Sequence, residues 1–391
     1  MTTPPRPGAR HTASDLAALV RDPATRVVLC CGSGGVGKTT TSAALALHAA
    51  EAGRRVVVLT IDPARRLAQS LGLSELDDRP RTVVGIDETR GGRLDAMMLD
   101  MKRTFDEVVV AHATPEAAEQ ILANPFYQSV SSSFAGTQEY MAMEKLGQLR
   151  TQAERDGTWD LIVVDTPPSR SALDFLDAPE RLGSFLDGRL IRLLTAPARL
   201  GGRVGVRALG GGMALVSGVL SKVLGTQLLG DVQTFVTALD TMFGGFRERA
   251  EQTYARLSEP GTAFVVVATP EVTALREADY FLRRLRSEGM PAAALVLNRL
   301  VRPATGTLDA RGADGAAERL TGGSQEAGAA RAARALLRVG AASDRVAERH
   351  AQVLAELRSS RPGLLVSVAA AEATDVHDLA ALRRVGASLA G

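Results

Sequence analysis

The sequence predicts an α/β fold, a mostly parallel sheet flanked by helices. Three observations predict it. Apolar runs at residues 54–61 and 160–165 read as strands buried on both faces, the pattern of a parallel sheet. Ala/Leu-rich helical stretches alternate with such runs, as at residues 40–52 and 329–358. A glycine-rich loop joins one strand, residues 26–30, directly to the helix that follows it.

Composition limits the function classes. A chain of 391 residues suits one large α/β domain with a helical insert. A hydrophobic content of 45% supports a real core, and 23% charged residues is ordinary for a globular chain. Aromatics at 4% argue against stacking platforms for single strands, and a net charge of +2 carries no nucleic-acid signature. No nucleic-acid partner is expected. The two cysteines, Cys30 and Cys31, are adjacent, so they form neither a disulfide framework nor a Cys-x-x-Cys metal site. They read as buried strand residues of a reducing, cytoplasmic compartment. The five histidines show no ligand spacing. Residues 1–14 are rich in Pro, Thr and Arg with no apolar core for a leader or anchor. A disordered tail is expected over residues 1–20, followed by one domain over 21–391.

The loop is the chemical centre. Gly32-Ser33-Gly34-Gly35-Val36-Gly37-Lys38-Thr39 fits the pattern G-x-x-x-x-G-K-[ST], set between a strand and a helix. Its four glycines let successive N–H groups face a polyphosphate. The helix opening at Lys38, Thr39 and Thr40 adds its positive dipole end. Lys38 supplies charge for the β- and γ-phosphates, and Thr39 offers a hydroxyl to Mg²⁺. The expected fold is therefore that of a P-loop NTPase.

The strand at residues 54–61 delivers Asp62-Pro63-Ala64 at its C-terminal end, where ligands of open α/β sheets sit. Asp62 reads as the residue that orients the attacking water; the alternative, a helix N-cap with Pro63 at the first helical position, is compatible with it. A polar loop at 77–89, a strand at 94–100 and a helix at 104–110 follow. Residues 125–149 carry apolar residues at helical spacing, with Met141 and Met143 read as core. The strand 160–165 ends in Asp165, in Asp165-Thr166-Pro167-Pro168, placed to hold Mg²⁺. Residues 188–230 contain no acidic residue and six basic ones. They read either as a membrane-facing or groove-lining surface, or as a helical lid packed on itself. Further strands are expected at 263–269, at 292–299 with Asn298 near its end, and at 363–368. Helices are expected at 231–257, 270–288, 329–358 and 376–389. A helical insertion subdomain is expected at about 104–150 and 180–257, and a flexible Gly/Ala-rich insertion at 302–328.

Together these motifs resemble the anion-transporting and guided-entry ATPase family of deviant-Walker P-loop proteins. The likeness rests on Gly32–Thr39, Asp62-Pro63-Ala64, Asp165-Thr166-Pro167-Pro168 and Asn298, in that order, and runs from about Val27 to the C-terminus. Within the family it is to actinobacterial members that work beside a second paralogue. The resemblance implies an Mg²⁺-dependent ATPase built as a nucleotide-sandwich dimer that closes on ATP and opens after hydrolysis. It implies nucleotide contacts from Gly32 to Thr40 and adenine contact at Asn298. It also implies a client on the helical subdomain.

Three departures bear on this. The family's signature lysine, one residue after the first loop glycine, is here Ser33. That lysine reaches the partner's phosphates, so a homodimer of this chain would lack the contact on both sides. A heterodimer with a lysine-bearing paralogue is expected, with a homodimer as the alternative. The cysteines that bind arsenite and the Cys-x-x-Cys that links tail-anchor-targeting homodimers are both missing. The expected function is an ATPase switch coupled to a protein or membrane client. The rivals are a regulatory subunit with little turnover, a membrane-associated positioning ATPase and a phosphotransfer enzyme.

Overall fold

The computed structural model describes residues 15–62, 66–130, 138–167, 248–249, 251–303, 308–320 and 327–390. The basic stretch at 188–230 and most of the second half of the expected helical subdomain lie outside them.

An eight-stranded sheet forms the centre. Its strands are β1 (Val27–Cys31), β2 (Arg55–Thr60), β3 (Arg81–Thr82), β4 (Arg93–Met98), β5 (Leu161–Asp165), β6 (Thr262–Ala268), β7 (Ala292–Leu300) and β8 (Leu365–Ala370). The spatial order is β3-β4-β2-β5-β1-β6-β7-β8. All neighbours are parallel except the short β3, which runs antiparallel to β4 at one edge. β1, β5 and β6 are buried along their whole length, which is why their sequences are continuous apolar runs without alternation.

Helices cover both faces. They are α1 (Leu16–Arg21), α2 (Lys38–Glu51), α3 (Arg66–Ser70), α4 (Met101–His112), α5 (Pro115–Ala123), α6 (Pro125–Val130) and α7 (Gln138–Asp156). After β6 come α8 (Val272–Ser287), α9 (Ala310–Arg319), α10 (Ala327–Ser360) and α11 (Leu379–Leu389). One core layer joins Leu29, Leu59 and Val164 to α7 and α8 through Met143, Leu146 and Phe281. Met141 and Met143 are buried there, as expected. The other layer joins Val28, Val58 and Val163 to α2 and α11 through Leu45 and Leu382. The two layers use alternate residues of the same strands, as strand geometry requires.

Two expectations are corrected. The tail expected over residues 1–20 is helical from Leu16, because Asp15 caps the Ala18 amide and Leu16, Leu19 and Val20 are buried. The insertion expected as flexible over 302–328 contains α9. Asp309 caps it at the Gly312 amide, and Ala310 and Ala313 pack on Ala341 of α10. Close packing against a helix 34 residues long outweighs the poor helix propensity of Gly312 and Gly315.

Arg54 ties α1 to the sheet. Its guanidinium donates to Val20 O and Asp22 O at 2.9 Å, and pairs with Asp160 Oδ1 at 2.9 Å. The side chain is buried, and burial lowers its pKa while Asp160 opposes the shift. Arg54→Leu therefore strands three carbonyls, those of Val20, Asp22 and Asp160, and leaves the Asp160 carboxylate to Arg55 alone. It is expected to cost roughly 3 kcal/mol in urea unfolding. A cost below about 1 kcal/mol would show that α1 is held by its apolar face alone.

Candidate nucleotide-binding site

The loop begins where β1 meets β6. Gly32 has φ +150°, and a Cβ there would sit 2.1 Å from Val267 O, so the close approach of strand and loop admits only glycine. Gly37 ends the loop in left-handed backbone at φ +95° and stands at the N-cap of α2 without a side-chain cap. The first N–H groups of α2, at Lys38, Thr39 and Thr40, are thus left for a ligand to satisfy. Gly34 and Gly35 are exposed, whereas Ser33 and Val36 are buried.

Lys38 turns back over the loop. Its Nζ donates to Ser33 O at 2.9 Å, the one hydrogen bond it makes among the described residues. Burial lowers its pKa, and the nearby Asp165 carboxylate opposes that shift. An ammonium has three protons, so two remain for an anion.

Register explains the next contact. Asp165 lies level with Cys30 on one side and Thr60 on the other. Its Oδ2 accepts from Thr39 Oγ1 at 2.8 Å and from Thr60 Oγ1 at 3.0 Å. Its Oδ1 is buried without a hydrogen-bond partner among the described residues. Burial pushes the carboxyl up to about 6, against the pull of the two threonine hydroxyls. A buried carboxylate with one orphaned oxygen beside a hydroxyl suits a hard divalent cation that prefers oxygen ligands. Thr39 spends its proton on Asp165, so its oxygen lone pairs remain for such an ion. These residues therefore fit Mg²⁺.

Asp62 follows β2 and is partly buried. Its charge acts on both Lys38 and Asp165. Pro63 and Ala64 lie outside the described residues, as do residues 168–247. Thr166 closes the β5 end by donating to Cys30 O at 2.8 Å. Asn298 reaches the loop from β7. Its Nδ2 donates to Val36 O at 2.8 Å, and its Oδ1 accepts from Arg299 N at 2.9 Å. Arg299 has φ 59°, a strained backbone for a non-glycine residue, where the β7–β8 register shifts. The Asn298 amide keeps one N–H and one lone pair, the pair a purine edge would need.

The structure thus brings Lys38, Thr39, Asp62, Asp165 and Asn298 around one loop. Sequence reasoning missed two participants. Thr60 has a faint signal, a hydroxyl two residues before Asp62 on the same strand. Gln138, whose Nε2 donates to Ile61 O at 3.0 Å, has none. Cys30 and Cys31 stay outside the chemistry, since burial pushes both thiols up to about 12.

A family model described as "Anion-transporting ATPase" matches residues 25–310. The chain belongs to the anion-transporting ATPase family. It is accordingly an ATPase, with a nucleotide as substrate. It is 28% identical over 278 residues to the ATPase GET3 of Podospora anserina, covering 71% of this chain and 73% of that protein. It is 27% identical over 285 residues to the ATPase GET3 of Malassezia globosa, covering 72% and 74%. The ATPase ARSA1 of Chlamydomonas reinhardtii is 27% identical over 305 residues, covering 72% of this chain but only 36% of the algal protein. The family match ends as α9 begins, so α10, β8 and α11 fall beyond it. Among the described residues no helix of this family member is long and apolar enough to cross a membrane.

Proposed function

We propose that the chain is an Mg²⁺-dependent ATPase that works as a conformational switch in a dimer, with a lysine-bearing paralogue completing its site. The observation that carries this reading is the convergence of Thr39 and Thr60 on Asp165 beside Lys38. The loop amides and Lys38 bind the β- and γ-phosphates, and Asn298 takes the adenine. Thr39 and Asp165 hold Mg²⁺, which when bound neutralises phosphate charge. Asp62 orients water for in-line attack on the γ-phosphate. The partner requirement follows from Ser33, a neutral and buried residue that offers no positive charge across a dimer. The helical segments between β4 and β5 pass the change to a protein or membrane client. Two free, buried cysteines support a reducing compartment.

Steady-state phosphate release from the purified chain tests this. Ser33→Lys is expected to raise turnover at least about 10-fold, since a charge supplied at this stage of phosphoryl transfer is worth up to 10³–10⁵. Brisk wild-type turnover that Ser33→Lys does not increase would remove the need for a partner. Tight ATP binding with no turnover in either form would instead favour a regulatory subunit.

A further inference from the structure

The carbonyl of Ile61 and the N–H of Asp62 belong to one peptide unit, and side chains hold both of its ends. Gln138 Nε2 donates to Ile61 O at 3.0 Å, and Asp62 N donates to Thr60 Oγ1 at 3.2 Å. The Thr60 hydroxyl has a single proton. Its shorter contact, 3.0 Å to Asp165 Oδ2 against 3.4 Å to Asp62 O, directs that proton to Asp165. A continuous run of hydrogen bonds therefore leads from Thr39 through Asp165 and Thr60 to this peptide, and from there to Gln138.

Gln138 is the first residue of α7, 77 positions away in the chain and outside the sheet. From there α7 runs on to pack Met141, Met143 and Leu146 into one core layer, and Lys145 pairs with Glu107 of α4 at 2.9 Å. At Gln138 the helical layer touches the backbone that carries Asp62. A peptide plane pinned at both ends fixes the direction in which the next side chain leaves the strand. With the carbonyl released, that plane can turn and take the Asp62 carboxylate with it.

We propose that Gln138 is a positioning residue that couples the start of α7 to Asp62. Movement of α7 would reorient the carboxylate, and nucleotide in the site would in turn alter the start of α7. The inference rests on the assignment of Asp62 made above, and it adds the route by which the helical layer and the nucleotide sense each other. The coupling is reciprocal, because any linkage between two sites acts equally in both directions.

Two measurements test it. In the first, hydrogen exchange of the full chain is followed with a non-hydrolysable ATP analogue and Mg²⁺. The loop peptide should be protected, and exchange over residues 138–146 should change at least about twofold. In Gln138→Leu the loop protection should persist while the α7 response disappears. An α7 response that survives Gln138→Leu, or is missing from the wild type while the loop is protected, would overturn the proposal. Lack of loop protection would overturn the nucleotide assignment itself, and the proposal with it.

In the second, turnover is measured in the Ser33→Lys chain. Gln138→Leu should lower kcat about 5- to 10-fold with KM for ATP within twofold, the scale of one hydrogen bond felt in the transition state. Gln138→Glu, which keeps length but loses the donor, should behave alike. In an Asp62→Asn background Gln138→Leu should have no further effect. A full additional loss there would make Gln138 merely structural and sink the idea.

Discussion

Asp62→Asn is expected to lower ATP turnover about 10³-fold while leaving ATP affinity within about threefold. The substitution keeps the shape of the side chain and the backbone bond to Thr60. It removes only the negative charge and the basic oxygen. That charge is felt by Lys38 and by Asp165, so the carboxylate lies within the field of both phosphate-side groups. Water attacking a phosphoryl group needs an acceptor to direct it, and the two neighbours are committed elsewhere. Lys38 is a donor, and Asp165 Oδ2 already takes two hydroxyls. Phosphate release measures the rate, and a fluorescent ATP analogue measures binding. The Ser33→Lys chain, expected to turn over faster, is the background for the measurement. A variant that keeps a tenth or more of the turnover would take Asp62 out of the chemical step.

Asp165→Asn should separate activity from stability. Turnover should fall about 10³-fold, because the side of the site that fits Mg²⁺ loses the buried carboxylate of Asp165. The protein without nucleotide should become more stable at the same time. The Asp165 carboxyl sits at about 6 in the fold against an ordinary 3.8. A folded value above the unfolded one means that the protonated form is favoured on folding. Its contribution is fully present below about pH 4 and is lost as pH rises through about 6. At pH 8 the buried charge therefore costs about 3 kcal/mol, taking roughly 1.4 kcal/mol per unit. Asparagine carries no charge and still offers an oxygen to Thr39 and Thr60. Part of the gain goes to burying its new N–H₂ group, so a net rise of about 1–2 kcal/mol is expected at pH 8. At pH 4 the advantage should vanish. Urea unfolding at both values decides it, and a less stable variant at pH 8 would refute the account.

The parts of this site that were legible in the sequence are those whose chemistry is local. Gly32–Thr39 needs its glycines in a row, and Asp62 and Asp165 each end an apolar run, so their shared end of the sheet could be read in advance. Asn298 could be placed near the end of β7 for the same reason. Thr60 was hidden because threonine is also a good strand former, and nothing in its neighbours separates the two roles. Gln138 meets Ile61 only through tertiary structure, and no periodicity encodes a contact across that distance. The inner boundary of the tail was hidden because α1 is short and held by Arg54, which stands just ahead of β2. Helix α9 was hidden because packing on α10 decides it, against a local sequence that favours coil.

The buried pair Cys30-Cys31 has a practical consequence. With only two cysteines, both buried at the centre of the sheet next to the loop, the native chain should be silent to thiol reagents. A single cysteine introduced on the surface would take a dye or spin label at one place, with no native thiol to remove first. The same silence turns the pair into a clock. Alkylation of Cys30 and Cys31 can proceed only when the central strands part, so its rate reports the free energy of that opening. Added nucleotide should slow the clock by its own binding energy. That gives a label-free affinity that needs no turnover to read.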